Sequence, residues 1–457
     1  MAIVRKSTKA AAVNPLKMSQ PLGASYAFLG MNRCMPVMHG SQGCTSFGLV
    51  LLVRHFREAI PLQTTAMNEV TSILGGMDNV EKAILNIRER ARPDLIAICS
   101  TGLTETKGDD VSGYIELIRQ RHPEIADTAL VYVSTPDYSD AFQDGWAKAV
   151  LAVIKALVKP SLVKHPKQVN LLAGCHLTPA DIEELRDIVE AFGMTPIVLP
   201  DVSGSLDGHM PDAFSPTTMG GTTQGEMRVM GASVATLVIG EQMRACGDEL
   251  EHISGVPSLM FERLTGLAAN DAFLAALAQL SGVAVPAKYR RQRSQLQDAM
   301  LYGHFFFGGK KVAIAAEPDL LCALALWLAE MGCDIVTAIT STVSPLLEHL
   351  PLAEVLIGDL EDLELGAHGC DLMITHSHGR QAAARLQIPF HRAGLPLFDR
   401  LGAGHQLSVG YRGTRGLIFE IGNLFLANQH TSHPGSWPLP QESLHAVQRI
   451  LEAEHAS

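Results

Sequence analysis

Hydrophobic positions in this chain follow two alternating rhythms. Short aliphatic runs, among them "VNLLA", "VAIAA" and "LIAIC", have the form of strands buried on both faces. Polar segments follow, with apolar residues at helical spacing. The clearest unit is "QVNLLAGCHLTPADIEELRDIVEAFGMTPIVLPD". Val169 to Ala173 are its strand. Thr178 suits an N-cap, Pro179 the first helical position, and Asp181 and Glu183 the first turn. Ile182, Leu185, Ile188, Val189 and Phe192 share one helical face. Gly193 stops the helix, and Pro196 to Leu199 begin the next strand.

The pattern recurs twice. In "KKVAIAAEPDLLCALALWLAEMGCDIVTAIT" the strand is Val312 to Ala316, the stop is Gly332, and the next strand runs from Asp334 to Thr340. "AEVLIGD" and "CDLMITHSHGRQAAARLQIPFHRAG" continue it. Earlier in the chain, "RPDLIAICSTG" and "ALVYVSTPD" are strands, each followed by a helix. Repeated strand–helix–strand units imply an α/β fold: three Rossmann-like domains with parallel sheets flanked by helices. The expected divisions are residues 1–165, 166–300 and 301–405. "VKPSLVKHPKQ" is the first linker, and "AKYRRQRSQLQDAM" opens a helix leading to the third domain. Residues 406–457 are expected to be a helical return segment packing back on the first domain.

Composition narrows the function. Of 457 residues, 47% are hydrophobic and 18% charged, enough apolar material for sizeable cores. The net charge of −11 argues against a nucleic-acid partner. The longest apolar runs, "FGLVLLV" and "LLCALALWLAEM", fall short of the roughly 20 residues a spanning helix needs. The N-terminal stretch has basic residues but no hydrophobic secretory core, so the expected compartment is the cytoplasm. None of the eight cysteines is paired as CxxC, which reads as free thiols in a reducing compartment. Cys99, Cys322 and Cys333 have the apolar neighbours of core residues.

Ligands of open parallel sheets sit at the carboxyl ends of strands. The loops there are "HGSQGCTSF", "STGLTETKGDD", "STPDYSD", "AGCHLTP" and "THSHGR". The first three belong to one domain and can converge. Neither GxGxxG nor GxxxxGK[ST] is present, which disfavours a dehydrogenase or an ATP-hydrolysing domain. His376 and His378 could bind metal, but no third ligand is in view, and a polar loop is the plainer reading. His39 and His55 read as structural hydrogen-bonding residues. Asp207 and His209 lie in a long loop. Cys44 differs from the other cysteines because its neighbours are polar or glycine. Its run is too glycine-rich for a helix interior and reads as a flexible loop. A nucleophilic thiolate would need a base. An iron–sulfur cluster would need about four ligands, and no cysteine group here supplies the rest. By spacing alone, a structural cysteine and a functional one both stay open.

Longer motifs go further. "NPLKMSQPLGASYAFLGMNRCMPVMHGSQGCTSF", "VRHFREAIPLQTTAMNEVTSILGG" and "RPDLIAICSTGLTETKGDD" resemble the nitrogenase β-subunit family. So do "LPDVSGSLDGH", "GGTTQGEM" and "IPFHRAGLPLFDRLG", and the likeness spans nearly the whole chain. Catalytic members carry three cluster cysteines. Ser19 stands at the first position, Cys44 retains the second, and Leu103, in "STGL", stands at the third. That departure resembles the branch of the family that forms a scaffold for iron–molybdenum cofactor assembly.

The resemblance implies a non-enzymatic scaffold subunit in an α2β2 heterotetramer. It implies a [4Fe–4S] cluster shared between unlike subunits, with three cysteines from the α-like partner and Cys44 from this chain. It implies that the iron–molybdenum cofactor precursor is bound mainly by the partner, and that the nitrogenase iron protein docks transiently. The competing readings are a catalytic nitrogenase β-subunit, a relative from dark chlorophyll synthesis, and a metal-free three-domain binding protein.

Overall fold

A strand buried on both faces needs helices to cover it, and a helix is also the usual route back to start a parallel neighbour. The structure, a computed structural model, describes residues 1–9, 15–210 and 212–431. Among these residues every strand pairing is parallel. The strands form three sheets with helices between them, the α/β architecture expected from the repeats.

The first sheet has the order Gln63–Thr64, Cys34–His39, Leu95–Ser100, Ala129–Val133. The second has the order Thr195–Leu199, Gln168–Ala173, Ala235–Ile239, Ser258–Phe261. The third runs Ile3–Lys6, Glu354–Ile357, Asp334–Thr340, Lys311–Ala315, Leu372–Thr375, Phe390–Arg392. Ile3–Lys6 comes first in the chain, within the span assigned above to the first domain, yet it pairs with Glu354–Ile357 at the edge of the third sheet. In each sheet the chain lays strands to one side of a starting strand, then returns to the other side. Such a reversal opens a crevice at the carboxyl end of the starting strand. The turns after His39, Ala173 and Ala315 occupy these crevices.

The best-patterned unit forms as its sequence dictates. The Pro179–Ala191 helix starts on Thr178, whose hydroxyl accepts from Asp181 N at 3.1 Å, while Asp181 Oδ2 accepts from Thr178 N at 3.1 Å. Gly193, at φ 73°, turns the chain out of it.

Two helices of the first unit, Gln20–Leu29 and Phe142–Leu157, cross almost backbone to backbone. A Cβ on Gly23 would lie 1.9 Å from Phe142 O, and one on Gly145 2.0 Å from Gln20 O. Trp146, fully buried, packs on Tyr26 with ring centroids 4.7 Å apart, and its Nε1 donates to Ala173 O at 2.9 Å. That bond ties the first unit to the starting strand of the second sheet.

Among the described residues, the return segment packs on the second and third units and not back on the first sheet's unit. The Gly410–Thr431 helix lies along the Ala287–Phe307 helix, with Phe425 edge-on to Phe307 at 5.3 Å between centroids. Its start is fixed to the second unit: Tyr411 donates to Asp271 Oδ1 at 2.6 Å, and Arg412 bonds Glu184. Buried Ile418, Ile421 and Phe425 dictate this, because the matching apolar face belongs to the Ala287–Phe307 helix. The expected remainder of the return segment, residues 432–457, lies outside the described residues.

Candidate functional site

The Cys34–His39 strand ends in a two-residue turn, and the Gln42–Phe56 helix follows at once. Cys44 is the third residue of that helix, so the expected flexible loop is instead a first helical turn. Ser41 is the N-cap, extended at φ −73° and ψ 156°. Glycine costs most in a helix interior; at the entry the N–H groups lack intrahelical acceptors in any case. Buried Leu51 and Leu52 secure the helix downstream. A Cβ on Gly48 would lie 3.1 Å from the Met38 methyl, so the helix runs close over the strand that precedes it.

The turn rests on a polar floor. His39 is fully buried, with Nδ1 2.8 Å from Thr65 Oγ1 and Nε2 3.3 Å from Asp109 Oδ2. Burial lowers its pKa against the opposing pull of Asp109. Thr101 and Thr104 hydroxyls donate to His39 O at 2.9 and 3.1 Å. Thr135 N donates to Ser100 Oγ at 2.7 Å. The three loops of the first unit thus meet at one edge of the sheet.

Cys44 is exposed, and its Sγ lies 3.5 Å from Ser41 Oγ. A Cβ on Gly43 would meet nothing nearer than Ser41 Oγ at 3.9 Å, so open space adjoins the thiol. Phe47 is 68% exposed, and Val50 and Val53 continue the outward surface of the helix. Leu103, Val70 and Ile73 are exposed on neighbouring helices.

The two residues that the resemblance sets against family thiolates, Ser19 and Leu103, offer no sulfur. Ser19 is the N-cap of the Gln20–Leu29 helix and makes no side-chain cap bond. Gln20 beside it is pinned, Nε2 donating to Pro136 O at 2.6 Å and to Ser139 O at 2.9 Å. Leu103 lies in the Gly102–Lys107 helix and cannot ligate metal. A Cβ on its neighbour Gly102 would fall 2.0 Å from Asp137 Oδ1, so a side chain there would require the exposed Asp137 carboxylate to move.

These features fit one corner of an iron–sulfur cluster. The site has an accessible thiol, free space beside it, and helix N-terminal amides that suit an anionic group. They do not fit a whole cluster. Among the described residues no three His, Cys, Asp or Glu side chains are grouped to hold a metal ion, and the other seven cysteines are buried or half-buried.

The remaining candidates are structural. His55 accepts from Leu397 N at 2.9 Å, and burial takes its pKa down to about 3. His376 is buried, held at about 3 by desolvation first and by His378 second. Its Nδ1 accepts from His378 N at 3.4 Å, without a third ligand. Asp207 and His209 pair with each other at 2.5 Å.

Sequence reasoning missed a polar junction in the interior. Cys175, His176, Glu317 and His376, from strand ends of the second and third sheets, line a cavity of about 30 Å³, room for about one water. Burial pushes Glu317 up to about 8 and nearby Asp319 up to about 6. The available signal was position: Glu317 follows the starting strand of its sheet.

Residues 19–426 match the family model for nitrogenase component 1 type oxidoreductase. The chain is 58% identical over 434 residues to the nitrogenase iron-molybdenum cofactor biosynthesis protein NifN of Bradyrhizobium diazoefficiens, covering 94% of this chain and 92% of that protein. It is 51% identical to the protein of the same name from Nostoc, covering 93% of this chain and 96% of that one. Among solved structures, "Nitrogenase Cp1 at pH 6.5" superposes with a TM-score of 0.89 at 32% identity, covering 94% of this chain and 96% of that one.

Proposed function

Because the chain belongs to the nitrogenase component 1 type oxidoreductase family, we propose that it is the β-like subunit of the scaffold on which the iron–molybdenum cofactor of nitrogenase is assembled. Its partner in this reading is a NifE-like subunit, in an α2β2 heterotetramer. Relatives covering nearly the whole chain carry the name of a cofactor biosynthesis protein, which supports a scaffold over a catalytic subunit.

One observation carries the site assignment. Cys44 is an exposed thiol in a helix first turn, with open space beside it and no second thiol in a position to join it. A cubane takes about four protein ligands; in this reading, which follows the family resemblance, Cys44 gives one and the partner gives three. The cluster, when bound, supplies one-electron transfer. The chain's own residues do the holding. Cys44 would provide a thiolate and the first-turn amides would suit the anionic group, while His39 with Thr101 and Thr104 fixes the strand end beneath. Exposed Phe47 and Val50 give the partner an apolar surface that excludes water on docking. The precursor is the scaffold's cargo, held mainly by the partner. The nitrogenase iron protein docks transiently.

The competing reading is a catalytic β-subunit. Ser19 and the thiol-free "STGL" turn weigh against it, because an eight-iron cluster would lack two of its three ligands from this side.

The test is purification of the chain alone and together with its partner. The pair is expected to be brown, with iron and acid-labile sulfide in near-equal amounts. The lone chain is expected to hold no stable cluster. A lone chain keeping a full cluster through gel filtration rules out the shared site.

A further inference from the structure

The basic run "AKYRRQRSQLQDAM" has no part in the cluster site. It forms the first half of the Ala287–Phe307 helix, which lies along the Gly410–Thr431 helix. The outer faces of these two helices flank an open surface cleft of about 760 Å³. Arg291, Arg412 and Arg415 line it.

Much of their donor capacity is unspent. A guanidinium carries five N–H donors. Arg415 donates from Nη1 to Gln295 Oε1 at 2.5 Å. Arg412 bonds Glu184 through one terminal nitrogen and is 53% exposed. Arg291 has no acceptor among the described residues. Ser294 adds a hydroxyl to the lining, and Phe419 an apolar wall. Asp298 is the carboxylate on the lining. With Glu184 assigned to Arg412, the cleft keeps a net positive charge, on a chain whose net charge is −11. Three guanidinium forks lining one cleft suit planar or tetrahedral oxyanions that accept two bonds at once.

We propose that this cleft binds a small, multiply charged oxyanion, phosphate- or carboxylate-bearing, held chiefly by Arg291 and Arg415. Asp298 then favours anions that also present a hydroxyl or another donor. The site owes nothing to Cys44, and cluster content does not enter its test.

Isothermal titration calorimetry of the full chain, in complex with its partner, against sodium pyrophosphate and sodium citrate tests this. At least one probe should bind with a Kd below about 1 mM at low salt and more weakly at high salt. The Arg291→Gln/Arg415→Gln variant should bind at least ~10-fold more weakly, the scale of a lost charge-assisted hydrogen bond. Its melting temperature should be unchanged, since Arg291 is exposed and Arg415 half-buried at the surface. A second variant, Ser294→Asp, adds a carboxylate to the lining and should weaken binding as strongly. Preference for pyrophosphate identifies a phosphate-bearing ligand, and preference for citrate a carboxylate-bearing one. Binding of neither probe, or undiminished binding by both variants, overturns the proposal.

Discussion

The sulfur of Cys44 lies 3.5 Å from the hydroxyl oxygen of Ser41, the N-cap residue of its own helix. Ser41 makes no cap bond to the helix end, so its hydroxyl is turned to the thiol instead. The thiol is exposed and little else packs on it. Cys44→Ala should therefore change stability by no more than about 0.5 kcal/mol, the usual range for surface substitutions. Its effect on a bound cluster should be large. Low-temperature EPR of the variant complex should show a labile or three-iron cluster beside an unchanged circular dichroism spectrum. An unaltered cluster signal would assign Cys44 to structure.

Iron content tests the missing thiols. A serine hydroxyl must lose its proton before it can ligate iron, which is far less favourable than for a thiol. Leu103 has no ligating atom. The complex, stripped of precursor and oxidised, should hold about four iron atoms per αβ pair. It should show no integer-spin signal. About eight atoms with such a signal point to a catalytic-type cluster.

Gly23 is a packing residue. Its added Cβ would fall 1.9 Å from the carbonyl oxygen of Phe142, a backbone atom that cannot swing aside. Gly23→Ala should destabilise the chain by roughly 1–3 kcal/mol, the range for overpacking. Chemical denaturation compared with Gly43→Ala, where a Cβ has space, checks this. Equal effects of the two would contradict the close helix crossing.

Glu317 makes stability depend on pH. Burial raises its pKa from 4.5 to about 8, so the folded chain holds a proton that the unfolded chain has released. Its contribution is full below pH 4.5 and is lost as pH rises to about 8. Asp319, raised from 3.8 to about 6, acts in the same direction over its own window. Glu317→Gln keeps a neutral side chain able to bond Ser341 and Gln143 N, its present partners. The variant should melt about 2 °C or more above the parent at pH 8, and the gap should close towards pH 5. A pH-independent gap would remove Glu317 from this role.

The sequence by itself determined the local units. Thr178, Pro179 and Gly193 bound a helix because capping and positive φ are local requirements. Asp334–Thr340 forms the strand expected of it for a similar reason: its β-branched residues, Ile335, Val336, Thr337, Ile339 and Thr340, favour extended backbone. The long motifs around Cys44 identified the family, and substitution at Ser19 was visible without coordinates.

Only the tertiary structure decided where those units went. Local pattern cannot show that Ile3–Lys6 crosses to the edge of the third sheet, because pairing there is backbone hydrogen bonding to a strand some 350 residues away. It placed the final helix against the wrong unit, because an apolar face does not name its partner. It read Cys44 as lying in a loop because glycine disfavours helix interiors, whereas this helix is held by Leu51 and Leu52 further along. The junction around Glu317 and the cleft of Arg291 and Arg415 join residues from distant segments. Their charges acquire chemical meaning only once folding sets the burial and the neighbours of each group.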